Sequence, residues 1–560
     1  MIDDARQIDL MSHTLRASVC IVGAGAAGIT LACELDALGV QTLLLEAGQV
    51  TGSGAVSQDP YEGGSDGAHA TPRHFRRRGF GGTTAIWGGR CVPYDPIDFQ
   101  SREHVADSGW PIGYREVAQH YPKAMSYCDA GAFDFSASSA LEGDEPPAGA
   151  WMRSEGGLNA DGIERYSLPT DFGRRYRARL AASRHVRVLG PVQVTRLLRA
   201  RDGIGVDAVL CRVDEHSRAF RVEADRFVIA TGGIEAPRLL LASQGLGNRY
   251  DNVGRYYTCH VENFIGAWRP RRPGTPFNFE TTQDGVYARR KLMFDATVQR
   301  RERLLNTSFR LHYPNVADAA HRSAVLSAVY LGRRTLIPEY RRILQYGVGE
   351  HVRTSSPLAH LRNVVGGLPQ LAAFGADWTR RRMLARRKLP YVLAPNADGS
   401  FVLEFNAEQT PLRDSRITLS DRLDAFGVPR VHVAWRFSRD DVETLCRTVR
   451  LLREQLLAQE VGLLDFDDDA LRETIAASVP LGGHHIGATR MAASPRNGVV
   501  DRDLALFDAP NVFIASASVF PTSSHANPTL TIVAMAIRLA AHLGGRIASE
   551  RASRLAREAA

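Results

Sequence analysis

Residues 18–48 read SVCIVGAGAAGITLACELDALGVQTLLLEAG, and this stretch decides the fold. A short apolar run, Ser18–Val22, leads into Gly23, Gly25 and Gly28 at G-x-G-x-x-G spacing. A helix-forming run over about Ala26–Leu38 follows, then a second apolar run, Gln41–Leu45, ending in Glu46. Apolar runs without alternation suit strands buried on both faces. In such a strand–turn–helix the first glycine permits the tight turn, the second lets backbone approach a pyrophosphate, and the third brings helix against strand. The helix start turns its free N–H groups and positive dipole end toward the phosphates. Glu46 stands roughly 20 residues on, where an acid meets ribose hydroxyls. An acid there favours FAD or NAD over NADP, whose 2′-phosphate it would repel. Strand, turn, helix and acid together predict a dinucleotide-binding unit.

A chain of 560 residues exceeds one simple core, so two or more domains are expected. Its composition, 44% hydrophobic and 23% charged, is that of a globular protein. Seven cysteines are scattered without a C-x-x-C pair, which predicts reduced thiols in a cytoplasmic chain and no metal or Fe–S site. The N-terminal MIDDARQIDLMSHTLRAS has no apolar core segment and no twin arginine, so no export signal is expected. No apolar run reaches the roughly 18 residues a membrane span needs. The net charge of +8 suits a doubly charged cofactor; no nucleic-acid partner is expected.

Beyond the first unit, Thr51–Ala70 is rich in Gly, Ser and Asp and reads as a loop. Arg76–Gly89, RRRGFGGTTAIWGG, sets glycine doublets around two threonines, a pattern that folds backbone against a flat ligand. Tyr94–Tyr176 is broken by prolines and reads as a cap. His185–Leu198 and Gly205–Val213 read as paired strands, and Phe227–Ala230 as a buried strand entering Thr231-Gly232-Gly233 and a helix. This second strand–Gly turn–helix returns to the first sheet after a long insertion. Tyr287–Met293, Leu305–His312 and Ser400–Phe405 have the strand character of a separate, mostly antiparallel sheet. Between them, Ala317–Lys388 reads as helical. Residues 330–390 hold Arg333, Arg334, Arg341, Arg342, Arg353, Arg362, Arg380, Arg381, Arg382, Arg386, Arg387 and Lys388 against Glu339, Glu350 and Asp377. Such a basic face is solvated or meets a membrane surface or redox partner. Ser438–Ala458 reads as an amphipathic helix capped by Ser438. Near the C-terminus, GGHHIGATRM (Gly482–Met491) is a His-bearing turn, and SASVFPTSSHANPTLT (Ser516–Thr531) opens a long helix with Asn527 as N-cap and Pro528 at the first position. On local physics alone Asn527 is structural.

Taken together, GAGAAG with Glu46, GGTTAIWGG, ATGGIEAPRLLLAS and HHIGATRM…SASVFPTSSHANPTLT resemble the glucose–methanol–choline (GMC) family of FAD-dependent oxidoreductases, in that order along Ser18 to about His542. The segment Glu408–Pro429 resembles that family's substrate-domain strand, and the ANPTLT wording its pyranose-oxidase and sugar-dehydrogenase branch. The resemblance implies an α/β fold: a Rossmann-like FAD domain, discontinuous in sequence, plus an α+β substrate domain with a mostly antiparallel sheet. The implied division is FAD domain 1–100, 181–260 and 481–560, cap/substrate segment 101–180, and substrate domain 261–480 with the basic helical insertion 317–388. It implies catalytic His484, from H-x-x-G, and catalytic Asn527. It implies FAD contacts from Gly23, Gly25, Ala26, Ala27, Gly28, Glu46, Ala47, Gly82, Thr83, Thr84, Trp87, Gly88, Val194, Ala230, Gly232, Ser516, Ala517, Asn527, Pro528 and Thr529, and no metal. Where members with covalent flavin carry histidine, this chain has Ile86, so FAD is expected to be non-covalent. Ser516 replaces the family's usual Asp, and Ala488 its usual Thr.

The activity so implied is oxidation of a CH–OH group of an alcohol or sugar-like substrate by hydride transfer to flavin N5, with His484 as acid/base and O2, a quinone or a redox protein as electron acceptor. Two alternatives stay open: the flavoprotein subunit of a membrane-associated dehydrogenase docking through 330–390, and a redox-neutral lyase on the same scaffold. A nicotinamide-dependent reductase would need a second G-x-G-x-x-G, which Thr231-Gly232-Gly233 does not supply.

Overall fold

A computed structural model describes residues 1–10, 14–51, 56–67, 69–141, 156–201, 203–271, 278–332, 355–391, 393–394, 396, 398–480 and 483–559. Its centre is a nine-stranded sheet. In the order Ile2–Asp4, Val186–Gly190, Thr42–Leu45, Leu15–Val22 and Phe220–Ile229, neighbouring strands run parallel. Phe220–Ile229 then divides its free edge. Its first half pairs antiparallel with Val206–Arg212, and its last three residues pair parallel with Val512–Ile514. The stretch expected as one strand, His185–Leu198, is broken at Pro191. Val186–Gly190 joins the parallel sheet, and Gln193–Arg199 pairs antiparallel with Val206–Arg212.

The Ala26–Ala37 helix lies along one face of this sheet, and Thr529–Ala559 packs against it. That last helix is apolar over its first half because it is core: Leu530, Val533, Leu539 and Leu543 are fully buried. Gly28 sets the strand–helix distance, since a Cβ there would come within 1.9 Å of Gly23 O.

A second, seven-stranded sheet carries the mostly antiparallel region, with Val261–Pro270, Phe401–Ala407 and Thr307–His312 at its middle. The Arg439–Ala458 helix covers it, with the Ser438 hydroxyl accepting from Asp441 N–H at 2.9 Å as expected of its cap. The stretch 101–180 does not pack on itself alone. Ile163–Tyr166 sits between Arg90–Cys91 and Tyr287–Arg290 in a four-stranded sheet, and the Phe172–Ala182 helix packs on the Ala26–Ala37 helix. Nor is Thr51–Ala70 loop throughout. Gly63–Ser65 pairs parallel with Val431–Val433, a register that two glycines and a serine reach through backbone bonds alone. Within the basic region the described α-helices are Ala324–Gly332, Pro357–Gly366 and Leu368–Trp378. Arg333, Arg334, Arg341, Arg342 and Arg353 lie outside the described residues.

Candidate functional site

Five strands end on one edge of the large sheet, because the register aligns Val22 with Leu45 and Ile229, Leu45 with Leu189, and Ile229 with Ile514. Backbone bonds carry the edge one residue further: Gly23 N–H to Leu45 O (2.8 Å), Glu46 N–H to Leu189 O (3.0 Å), Ala230 N–H to Val22 O (2.8 Å) and Ala515 N–H to Ile229 O (2.9 Å). This is the carboxyl edge of the parallel strands, where doubly wound folds take nucleotides. Gly23, Glu46, Ala230 and Ala515, from distant parts of the chain, therefore stand in one row, and Ser516 follows directly after it. Val194 follows close by, two residues after Val192, whose N–H donates to Glu46 O at 2.8 Å.

Beside this row there is open space for a ligand. An added Cβ at Gly25 or at Gly232 would meet no protein atom within 4 Å, so both face open space. Thr231 Oγ1 beside them is buried without a partner. The Glu46 carboxylate braces the turn by accepting from Ala24 N–H (2.9 Å) and Gly48 N–H (2.7 Å), which leaves lone pairs for ribose hydroxyls. The glycine-doublet loop lies directly on the first turn: Gly81 N–H donates to Ala24 O at 2.9 Å, and a Cβ on Gly82 would stand 3.0 Å from Gly25 Cα. In that loop Thr84 Oγ1 donates to Gly81 O (2.6 Å) and accepts from Phe172 N–H (3.1 Å), and Trp87 Nε1 donates to Thr170 O (3.0 Å). Thr83 and Gly88 are exposed on the same loop. These residues fit a flat, phosphate-bearing dinucleotide. The Ser516 hydroxyl instead turns inward to Ser518 Oγ at 2.6 Å, and Ser518 Oγ meets Thr489 Oγ1 at 2.6 Å.

The C-terminal residues close on the same place. Gly233 lies against the His485 backbone so tightly that a Cβ there would meet His485 O at 2.0 Å. Ile486 bridges to Thr258, which ties the His-bearing turn to the start of the second sheet. Asn527 Nδ2 lies 3.1 Å from His484 Nε2, and Asn527 Oδ1 is buried with no partner. The Asn527 side chain thus does not cap the helix that follows, as local sequence physics suggested. It is spent on His484. Both side chains stay partly open to space.

Sequence reading missed what stands behind His484. His260, wholly buried, puts Nδ1 2.8 Å from His484 Nδ1 and Nε2 3.0 Å from Ser523 O. Its only signal was a histidine two residues before Glu262, at strand spacing. Burial holds the His260 imidazole down to about 3; burial, then His260, holds His484 well below its ordinary value. Both rings are neutral at physiological pH. Burial and then Glu404 push Glu262 up to about 7. Around them, Asn406 Nδ2 donates to His525 O (2.8 Å), and His525 Nε2 meets Asp95 Oδ2 (3.1 Å) and Lys291 Nζ (3.3 Å). Arg310 lies between Glu164 and Glu404, at 3.1 Å from each.

Among the described residues two triads have metal-ligand spacing: His69, Cys259 and His485, and His260, Glu262 and His484. The Tyr257 hydroxyl fills the first, 2.8 Å from His69 Nε2, 2.6 Å from His485 Nδ1 and 3.2 Å from Cys259 Sγ. The second is His484 and the His260 behind it, with Glu262 added.

The basic region contributes a surface. Leu358, Leu361 and Val365, at i, i+3 and i+7 of the Pro357–Gly366 helix, are 75%, 49% and 63% exposed. Arg362, Arg380, Arg386 and Lys388 are exposed nearby in sequence. Arg387 instead turns inward, donating to Tyr166 O (3.0 Å) and Asp129 O (3.1 Å).

A GMC oxidoreductase family profile matches residues 411–536, and an NAD(P)-binding Rossmann-like domain profile matches residues 21–77. The chain is 22% identical over 612 residues to the fructose dehydrogenase large subunit of Gluconobacter japonicus, covering 95% of this chain and 98% of that one. It is 24% identical over 591 residues to paromamine 6'-oxidase of Streptomyces fradiae, covering 95% and 92%. The crystal structure of pyridoxine 4-oxidase from Mesorbium loti shares the fold, with a TM-score of 0.56 at 17% identity over 94% of this chain and 99% of that one.

Proposed function

This chain is an FAD-dependent oxidoreductase of the GMC family, and from that premise we propose that it oxidises a CH–OH carbon of an alcohol or sugar-like substrate, with His484 as the acid/base. The observation that carries this reading is the His484–Asn527 pair at 3.1 Å, beside the carboxyl edge of the dinucleotide sheet. With its amide N–H donating, Asn527 meets His484 Nε2 as the bare, basic nitrogen. A substrate hydroxyl set between the two side chains gives its proton to Nε2 while its oxygen accepts from Asn527 Nδ2. A neutral imidazole suits this step, since it is ready to accept. Holding the oxygen from two sides fixes the carbinol C–H in one direction, which supplies rate through orientation. The flavin, when bound, supplies the two-electron acceptor.

Gly23, Gly25, Gly28, Glu46, Gly82, Ala230 and Gly232 would hold that flavin. Ile86 offers no nucleophile, so we propose non-covalent attachment; acid precipitation should leave the colour in the supernatant. The deciding experiment is anaerobic bleaching of the bound flavin by a panel of alcohols, polyols and sugars. Re-oxidation with air or with quinones then separates oxidase from dehydrogenase. A chain that binds FAD and is bleached by no member of the panel would instead fit the redox-neutral alternative.

A separate observation favours a peripheral membrane contact. The exposed Leu358, Leu361 and Val365 stripe, with arginines nearby in sequence, is the pattern of a helix lying in an anionic lipid surface. Co-sedimentation with phosphatidylserine vesicles, lost at high salt and in Leu358→Asp/Val365→Asp, is expected. Equal recovery with and without vesicles would remove this proposal.

A further inference from the structure

We propose that His260 is a positioning residue that fixes the ring tautomer of His484, so that its basic lone pair stands on Nε2. The inference rests on the reading of His484 as acid/base and adds what sets its working state. A carbonyl oxygen only accepts, so the 3.0 Å contact with Ser523 O requires hydrogen on His260 Nε2. A neutral, fully buried ring carries one ring hydrogen, so His260 Nδ1 is bare. The 2.8 Å Nδ1–Nδ1 contact then holds only if His484 Nδ1 bears the hydrogen. That leaves His484 Nε2 bare, the form that accepts from Asn527 Nδ2 at 3.1 Å.

Without His260 the arrangement has a second solution. A free imidazole favours hydrogen on Nε2, and Asn527 can rotate its amide to offer Oδ1, the atom now unpartnered. The pair would stay hydrogen-bonded with donor and acceptor exchanged, and no base would face the substrate. The Ser523 carbonyl is therefore the fixed end of a chain that reads Ser523, His260, His484, Asn527, and only the first link dictates direction. A buried hydrogen bond of this kind selects one of two states more than it adds stability.

The test uses the flavin-loaded enzyme with 15N-labelled histidine, the His484 signals being identified by their loss in His484→Gln. The wild type should show His484 protonated at Nδ1 and bare at Nε2. His260→Asn, whose Oδ1 can accept from Nδ1–H, should keep that signature and most of the rate of flavin reduction. His260→Leu should exchange the two nitrogens and slow reduction roughly 10²- to 10⁴-fold, the range of lost general-base catalysis and of a mis-set tautomer. Flavin content should stay unchanged. A wild-type His484 bare at Nδ1 overturns the proposal even if no variant folds, as does a His260→Leu spectrum identical to wild type. If instead His484→Ala reduces its flavin at the wild-type rate, the acid/base reading fails while the tautomer result stands by itself.

Discussion

Arg102 and Glu408, 306 residues apart, meet fork to fork at 2.5 and 2.7 Å, with side chains 1% and 0% exposed. The pair pins the segment after Pro96–Phe99 to the end of the Phe401–Ala407 strand, and Asn306 N–H adds a third bond to Glu408 at 3.2 Å. A charge left alone in such a place is far costlier than the pair is favourable. Arg102→Ala should therefore lower stability by about 3–5 kcal/mol. Arg102→Met with Glu408→Leu should recover most of it. Denaturant unfolding of the three proteins checks this, and a single variant as stable as the double would contradict it.

Gly25 and Gly28 sit three residues apart and should respond oppositely. Gly25→Ala adds a Cβ into space that no protein atom occupies, so the apoprotein should keep its Tm while FAD affinity drops at least about tenfold, near 1.4 kcal/mol. Gly28→Ala drives a Cβ into Gly23 O and should cost about 3 kcal/mol of stability before any ligand is added. Calorimetry of the apoproteins and FAD titration separate the two.

For the acid/base pair, His484→Ala should slow anaerobic flavin reduction by roughly 10²- to 10⁴-fold while flavin content stays wild-type. Asn527→Ala keeps the base and loses one donor to the substrate oxygen, so its penalty should be smaller, about tenfold, from a bond worth about 1–1.5 kcal/mol. Stopped-flow absorbance at the flavin band reads both.

Because burial and His260 hold His484 well below 6.5, its neutral form persists through the physiological range. The rate of flavin reduction should therefore be level from about pH 6 to 9, with no rise near the ordinary histidine value of about 6.5. A clear inflection between pH 6 and 7 that vanishes in His484→Ala would contradict this.

Acid stability should carry the mark of His525, fully buried and held to about 4 by burial and then by Lys291. Between its unfolded value of 6.5 and about 4, the unfolded chain binds a proton there that the native state does not. Stability contributed by the neutral ring is thus full above 6.5 and lost as pH falls to 4. The slope is up to about 1.4 kcal/mol per pH unit. Asp98, pushed up to about 7 by burial and then Asp95, acts in the opposite sense, since the native state binds its proton first. His525→Gln should flatten the stability–pH curve in this window, and Asp98→Asn should steepen it.

The glycine fingerprint was legible because each of its demands is local: a turn, a close approach, an acid at a strand end. The cap on Ser438 was legible for the same reason. Asn527 was legible only through the family resemblance, since by local physics, ahead of Pro528, a helix cap and a side chain turned to His484 look identical. His260 was harder still. Its meaning depends on one carbonyl and one imidazole brought in from more than 200 residues away. The Gly63–Ser65 strand has no side-chain pattern to read, because its pairing lies wholly in the backbone.

The Ala509–Ile514 strand and the Thr529–Ala559 helix complete a sheet whose other members begin at residue 2. During synthesis the glycine turn leaves the ribosome long before its neighbours exist. Until residues 509–559 are made, the edge at Phe227–Ile229 and the face of the first helix that Thr529–Ala559 packs against stay open. Capture of the prosthetic group should therefore wait for that segment. A premature stop ahead of Ala509 should yield a colourless, chaperone-bound product rather than a weakened enzyme.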